Sequence, residues 1–127
     1  MKKQILIVDD EQHILRLFSR ILSGENREVH AVASGQEALE RVQAQTFDLI
    51  LLDLKMPGMN GAQALCRIRE TDRQVPVFIV TAFENEFGNA LQKLQEAGIA
   101  FEILNKPIEK EQLLSAVESV LSGPQSF

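Results

Sequence analysis

The strongest constraint on the fold of this chain is an alternation between short apolar runs and segments with helical spacing. The runs have the length of buried strands, and they are ILIV (5–8), VHAV (29–32), LILL (49–52), VFIV (77–80) and FEIL (101–104). After each run, apolar residues recur at helical spacing, over residues 11–23, 35–45, 61–70, 86–97 and 109–121. This alternation predicts a doubly wound α/β fold, in which five helices cover both faces of a five-stranded parallel sheet.

Capping signals mark where two of the predicted helices begin. Ser34-Gly-Gln-Glu37 has the spacing of a capping box, in which Ser34 and Glu37 satisfy N–H groups at the start of a helix. Asp10 directly precedes the segment 11–23 and is a candidate N-cap for it. Capping uses only one of the two carboxylate oxygens, so Asp10 can also have a second role.

Charge and cysteine content exclude several classes of function. The 127 residues carry a net charge of −5 with both signs scattered along the chain, which argues against direct nucleic-acid binding by a clustered basic surface. The single cysteine excludes an internal disulfide and a multi-cysteine zinc site. No secretory signal and no stretch long enough to span a bilayer is visible, so the sequence predicts a cytoplasmic domain without membrane contact.

Polar side chains follow four of the apolar runs, at the points where the strands are expected to end. Asp9 and Asp10 follow the first run, Asp53 follows LILL, Thr81 follows VFIV, and Lys106 comes shortly after FEIL. Parallel strands joined by right-handed crossovers all end at the same edge of the sheet. Three carboxylates, a hydroxyl and an ammonium are therefore expected at the edge where open α/β sheets bind ligands.

Three neighbouring carboxylates repel one another, and a divalent cation removes this cost. Carboxylate oxygens and water are the ligands that Mg²⁺ prefers. Together with Lys106 and the Thr81 hydroxyl, such a cation would surround a phosphoryl group and stabilise its oxygens during transfer. The Asp53 carboxylate is then the expected nucleophile, and its product is an aspartyl phosphate.

Four segments, ILIVDDE, DLILLDLKMPGMNG, VTA and NKP, resemble in order the motifs of the receiver domain of two-component response regulators, in the CheY-like superfamily. The resemblance runs from about residue 3 to residue 121. It implies a flavodoxin-like sheet with strand order 2-1-3-4-5 and identifies Asp53 as the phospho-acceptor. It also implies that Asp9, Asp10, Asp53 and the backbone carbonyl of Lys55 bind Mg²⁺ or Mn²⁺.

The resemblance implies roles for further residues around this site. Thr81 and Lys106 match the residues that close on the phosphoryl group, and the peptide bond before Pro107 is expected to be cis. Lys55, Ala82 and Phe83 match positions that modulate the site. A bulky Phe83 and the Lys55 side chain are expected to hinder the attacking water and to lengthen the lifetime of the phosphoryl group.

The chain departs from the family pattern near its last strand. Receivers commonly carry an aromatic residue three positions before the strand-end lysine, where this chain has Ile103, and the nearest aromatic is Phe101. The interval from Thr81 to Lys106 is also a few residues longer than is usual in the family. This predicts a longer fourth helix or a bulge before the last strand. The usual aromatic switch is therefore expected to be absent or displaced, with more of the signal carried by Thr81 and the 82–90 loop.

The sequence thus predicts a non-enzymatic signalling module that takes a phosphoryl group from a sensor histidine kinase or a phosphotransfer protein. Phosphorylation would shift its conformation and control a downstream protein or output domain. A homodimer that forms on phosphorylation is a further expected form of assembly. The alternative is a Rossmann-like aspartyl-phosphate phosphatase, which needs a second acid where this chain has Lys55. Residues 1–122 are the expected receiver domain and 123–127 a C-terminal tail; a stand-alone receiver and a piece of a longer chain both stay open.

Overall fold

The computed structural model describes residues 2–82 and 85–122, in which strands and helices alternate along the chain. The strands are β1 (Lys3–Val8), β2 (Arg27–Val32), β3 (Leu49–Leu52), β4 (Val77–Thr81) and β5 (Glu102–Asn105). The helices are α1 (Gln12–Leu22), α2 (Gly35–Ala44), α3 (Gly61–Thr71), α4 (Gly88–Glu96) and α5 (Lys110–Leu121).

All neighbouring strands pair in parallel, and their order across the sheet is β2-β1-β3-β4-β5. This confirms the predicted α/β fold and its strand order. In this order the chain moves outward from β1 to β2 on one side and, through β3, to β4 and β5 on the other. The reversal lies between β1 and β3, which places a topological switch point at their carboxyl ends.

The sheet separates two apolar cores because successive side chains of a strand point to opposite faces. On β3, Leu49 and Leu51 face one core, which is closed by α1 and α5, while Ile50 and Leu52 face the other, which is closed by α2, α3 and α4. All four residues of β3 are buried. The two cores hold the central strands in a fixed register, and the site is built on the ends of these strands.

The capping prediction is confirmed in part for α2 and is wrong for α1. Ser34 Oγ accepts a hydrogen bond of 3.1 Å from the backbone N–H of Glu37, which is one half of a capping box, whereas the Glu37 carboxylate accepts from the Ser34 hydroxyl at 3.3 Å. The residue that precedes α1 is Glu11 rather than Asp10, and no side chain caps this helix. The reason is that Asp9 accepts the Glu11 backbone N–H at 2.9 Å, and Asp10 is left exposed.

The predicted extra length before β5 lies in neither a long helix nor a bulge. The α4 helix has 9 residues and is followed by Gly98, whose positive φ of 80° suits a residue without a Cβ. The β4–β5 register is continuous from Phe78–Glu102 to Thr81–Asn105. In the described part of the interval from Thr81 to Lys106, neither the helix nor the strand pairing therefore shows the predicted extension.

Phe101 lies just before β5, and Ile103 lies within it. Both are partly buried against the core that α2, α3 and α4 close, so they lie on the same face of the sheet. Within the described ranges, no helix has the length and apolar character needed to cross a bilayer.

Candidate functional site

Two acidic residues lie side by side, each directly after one of the central strands β1 and β3. Val8 and Leu52, the last residues of β1 and β3, are paired in the parallel register, so Asp9 and Asp53 follow at the same edge. The Asp53 backbone N–H donates to the carbonyl of Val8 at 2.9 Å, which continues the ladder one residue past the strand. Strand pairing itself thus brings these two predicted site residues together.

The predicted third acid joins this pair. Carboxylate oxygens of Asp9, Asp10 and Asp53 all lie within 4.8 Å of one another. Asp9 and Asp53 are only 3% and 4% exposed, whereas Asp10 is on the surface. The cluster therefore has two buried acids and one side open to solvent.

The Lys106 ammonium lies among these carboxylates. Its Nζ is 2.7 Å from Asp9 Oδ2, 3.7 Å from Asp53 Oδ1 and 4.0 Å from Glu11 Oε1. The lysine is positioned by the sheet, because its backbone N–H donates to the carbonyl of Thr81 at 2.9 Å. The Lys106–Pro107 peptide bond is cis, the conformation predicted for it.

The pKa values of Asp53 and Lys106 are both raised, for different reasons. Burial and then the charge of Asp9 raise the pKa of Asp53 from 3.8 to about 6, although Lys106 and the Leu54 N–H oppose this. Burial alone would lower the pKa of Lys106, but the hydrogen bond to Asp9 and the charges of Asp53, Asp9 and Glu11 outweigh it and raise this pKa above its usual value. One ammonium thus compensates the buried acids only in part.

The backbone after β3 holds Asp53 in place. Leu54 donates its N–H to Asp53 Oδ1 at 2.9 Å, and Gly61 donates its N–H to the Leu54 carbonyl at 2.8 Å. A Cβ on Gly61 would lie 2.1 Å from the Asp53 carbonyl oxygen, so only glycine fits there. Asn60 caps α3 through mutual hydrogen bonds with Gln63, each of 2.9 Å. The contact of Gly61 with Asp53 could not be predicted from the sequence, because no local pattern shows how closely α3 approaches the end of β3.

Thr81 is fully buried at the end of β4, next to the strand that leads to Lys106. Ala82 follows it on the surface, and Phe83 lies outside the described residues. Lys55 is exposed two residues beyond Asp53, and its Nζ is 3.6 Å from Glu86 Oε2. Sequence reasoning identified Lys55 but not Glu86, because nothing in the local pattern shows which acid a surface lysine meets.

The arrangement suits a hard divalent cation. Three carboxylates converge, one of them is solvent-exposed, and the pKa of Asp53 is raised partly by an acidic neighbour that a cation would neutralise. Oxygen ligands with an open side are what Mg²⁺ uses when it keeps several waters. Asp9, Asp10 and Asp53 therefore fit such an ion, and an ion there would attract an anionic group toward Asp53.

Comparisons with known proteins agree with one another. The sequence profile of the response regulator receiver domain matches residues 5–118. The chain is 35% identical over 126 residues to the transcriptional regulatory protein SrrA of Staphylococcus aureus. This alignment covers 99% of this chain and 51% of SrrA. The chain thus spans about half the length of this curated relative.

Solved structures show the same similarity. A CheY-like receiver domain protein from Methanospirillum hungatei JF-1 superposes with a TM-score of 0.86 and 29% identity, over 96% of this chain and 95% of the other. The receiver domain of the sensor histidine kinase PA1611 from Pseudomonas aeruginosa PAO1, described with magnesium in its active site cleft, superposes with a TM-score of 0.78 and 26% identity, over 97% and 100% of the two chains.

Proposed function

Because this chain belongs to the family of response regulator receiver domains, the signalling modules of two-component systems, we propose that Asp53 is its phosphoryl acceptor. The observation that carries this proposal is the position of Asp53, a buried carboxylate 3.7 Å from Lys106 and clustered with Asp9 and Asp10. A carboxylate in such a position has a cation beside it and an approach from the solvent side.

In the proposed transfer, a carboxylate oxygen of Asp53 attacks the phosphorus of a phosphohistidine. A P–O bond forms while the P–N bond breaks, and the electron pair of that bond stays on the ring nitrogen of the donor. Lys106 would move from Asp9 toward the new phosphoryl oxygens, and the Thr81 hydroxyl would donate to them. The Leu54 N–H keeps Asp53 Oδ1 oriented throughout.

Asp9, Asp10, Asp53 and the backbone carbonyl of Lys55 would hold Mg²⁺ or Mn²⁺. When bound, the metal would supply positive charge that offsets the negative charge on the phosphoryl oxygens during transfer. The PA1611 receiver, whose magnesium lies in the active site cleft, supports this assignment. Lys55 and Ala82 are proposed to modulate access of water to the site, as is Phe83, which lies outside the described residues.

The proposed donors are a sensor histidine kinase or a phosphotransfer protein, and the proposed reader is a downstream protein or an output domain. The similarity to the transcriptional regulator SrrA supports an output of that kind. We propose a cytoplasmic setting, no direct contact of this domain with nucleic acid or membrane, and homodimerisation on phosphorylation as one form of output. The phosphatase alternative is not supported: the family that matches is the receiver, and Lys55 stands where the second acid is needed.

Intact-mass analysis after treatment with acetyl phosphate and Mg²⁺ tests the acceptor. We expect a labile gain of one phosphoryl group in the wild-type chain and none in Asp53→Asn. Asp48→Asn is the matched control, because Asp48 precedes the same strand at its other end and binds the Gln4 backbone N–H at 2.7 Å, which an amide oxygen also accepts. A gain of the group by Asp53→Asn at the wild-type rate, or by the wild-type chain equally well without Mg²⁺, would contradict the assignment.

A further inference from the structure

An ion pair joins the two connections that follow β3 and β4. Lys55 lies two residues beyond Asp53, and Glu86 lies five residues beyond Thr81, in the chain segment before α4. The Lys55 Nζ is 3.6 Å from Glu86 Oε2, and the two side chains are 52% and 53% exposed. The pair therefore forms beside the acceptor but not within the buried part of the site.

On the premise that Asp53 accepts the phosphoryl group, we propose that Lys55 binds this group and that Glu86 competes with it for the lysine. Lys55 is tethered close to Asp53 by two peptide units. Its ammonium is a point charge on a flexible stem, so it changes partner without the fixed geometry that a guanidinium requires. Glu86 is then a positioning residue, which acts on the phosphoryl group only through Lys55.

The charges of the site give the reason for a second cation. Lys106 already faces Asp9 at 2.7 Å and Asp53 at 3.7 Å. After transfer, Asp9, Asp10 and the aspartyl phosphate would carry about four negative charges, against three positive charges from Mg²⁺ and Lys106. One negative charge thus remains near the Lys55 ammonium. The ion pair of this ammonium with Glu86 is half exposed and is screened by water.

Two consequences follow for affinity toward a phosphoryl group. Removal of the Lys55 charge takes away a favourable interaction and weakens binding. Removal of the Glu86 charge takes away this competitor for the lysine and strengthens binding, but only while Lys55 is present. General repulsion by Glu86 predicts instead the same effect with or without the lysine, so a double-mutant cycle separates the two explanations.

The test is the dissociation constant for beryllofluoride, a phosphoryl analogue, measured by ¹⁹F NMR titration in the presence of Mg²⁺. We expect Lys55→Met to weaken binding and Glu86→Gln to tighten it, each by about 1.5- to fivefold, the range that exposed ion pairs support. In the Lys55→Met background, Glu86→Gln should have no further effect. Glu70→Gln is the matched control, because Glu70 pairs with Arg67 at 3.5 Å near the far end of α3 and should leave the constant unchanged.

Three results would decide against the proposal. Equal tightening by Glu86→Gln in both backgrounds would show general electrostatics instead of competition. Wild-type affinity in Lys55→Met would show that the lysine does not bind the group. A wild-type chain that binds no beryllofluoride would defeat the proposed function itself, whereas normal wild-type binding with either of the first two results defeats only the inference.

Discussion

At the scale of single residues, Asp53 has an environment that favours its protonated form. Burial and the charge of Asp9 raise its pKa from 3.8 to about 6. In this range the folded chain binds the proton more tightly than the unfolded chain, so the free energy of unfolding falls as pH rises from about 4 to about 6 and stays lower above. This difference between the pKa of Asp53 in the folded and in the unfolded chain lowers the free energy of unfolding at neutral pH by roughly 3 kcal/mol.

This cost predicts that Asp53→Asn stabilises the metal-free protein. At pH 7 with a chelator, its free energy of unfolding should exceed that of the wild-type chain by up to about 3 kcal/mol, and the difference should vanish near pH 4. Urea unfolding at several pH values measures this. Glu40→Gln, at an exposed position of α2, is the control for loss of one negative charge. Parallel stability curves for Asp53→Asn and the wild-type chain would contradict the prediction.

The sequence indicates which residues gather at the site but not how they pair. Asp9, Asp53 and Lys106 follow directly from strand ends, since parallel strands end at one edge. The contact of Lys106 with Asp9 depends on side-chain torsions, which no local pattern records. The N-cap of α1 was predicted wrongly for a similar reason: Asp9, not Asp10, takes the Glu11 N–H.

At the scale of elements, the start of α3 is fixed against the end of β3. A Cβ on Gly61 would lie 2.1 Å from the carbonyl oxygen of Asp53 and 2.8 Å from the Cα of Leu54. Both are backbone atoms, so the contact is relieved only if the acceptor segment or the helix moves. The close packing of the start of α3 against the end of β3 therefore fixes the turn that carries Asp53.

Gly61→Ala should destabilise the domain and weaken its phosphorylation together. We expect a loss of roughly 1–3 kcal/mol in the free energy of unfolding, as for other overpacked positions, and a slower mass gain with acetyl phosphate. Gly88→Ala is the matched control, because a Cβ there meets no atom within 4 Å and alanine favours the helix. Equal stability of the two variants would show that the approach at Gly61 is not tight in solution.

The elements were predictable where the apolar pattern is strong and less so near the fifth strand. The run FEIL predicts a strand over 101–104, whereas β5 spans Glu102–Asn105. Because β5 is an edge strand and only partly buried, tertiary pairing with β4 decides its limits.

At the scale of the whole molecule, Mg²⁺ should stabilise the fold, because it binds the assembled cluster and not the unfolded chain. At a Mg²⁺ concentration ten times the dissociation constant, we expect about 1.4 kcal/mol, or a rise in melting temperature of roughly 4–7 °C. Differential scanning calorimetry measures the shift. Asp10→Asn should shift less while melting no lower than the wild-type chain in a chelator, since Asp10 is exposed. No shift in the wild-type chain would remove the proposed metal site.

The strands differ in how completely they are buried, and this sets where the molecule opens. All residues of β3 are buried, whereas the ends of β5 are exposed and its middle is only partly buried. The free energy of local opening follows burial, so amide protons of β3 should exchange with solvent only in global unfolding and those of β5 in smaller fluctuations. The acceptor is thus attached to a strand that opens only with the whole fold, while Lys106 follows an edge strand that opens at lower cost.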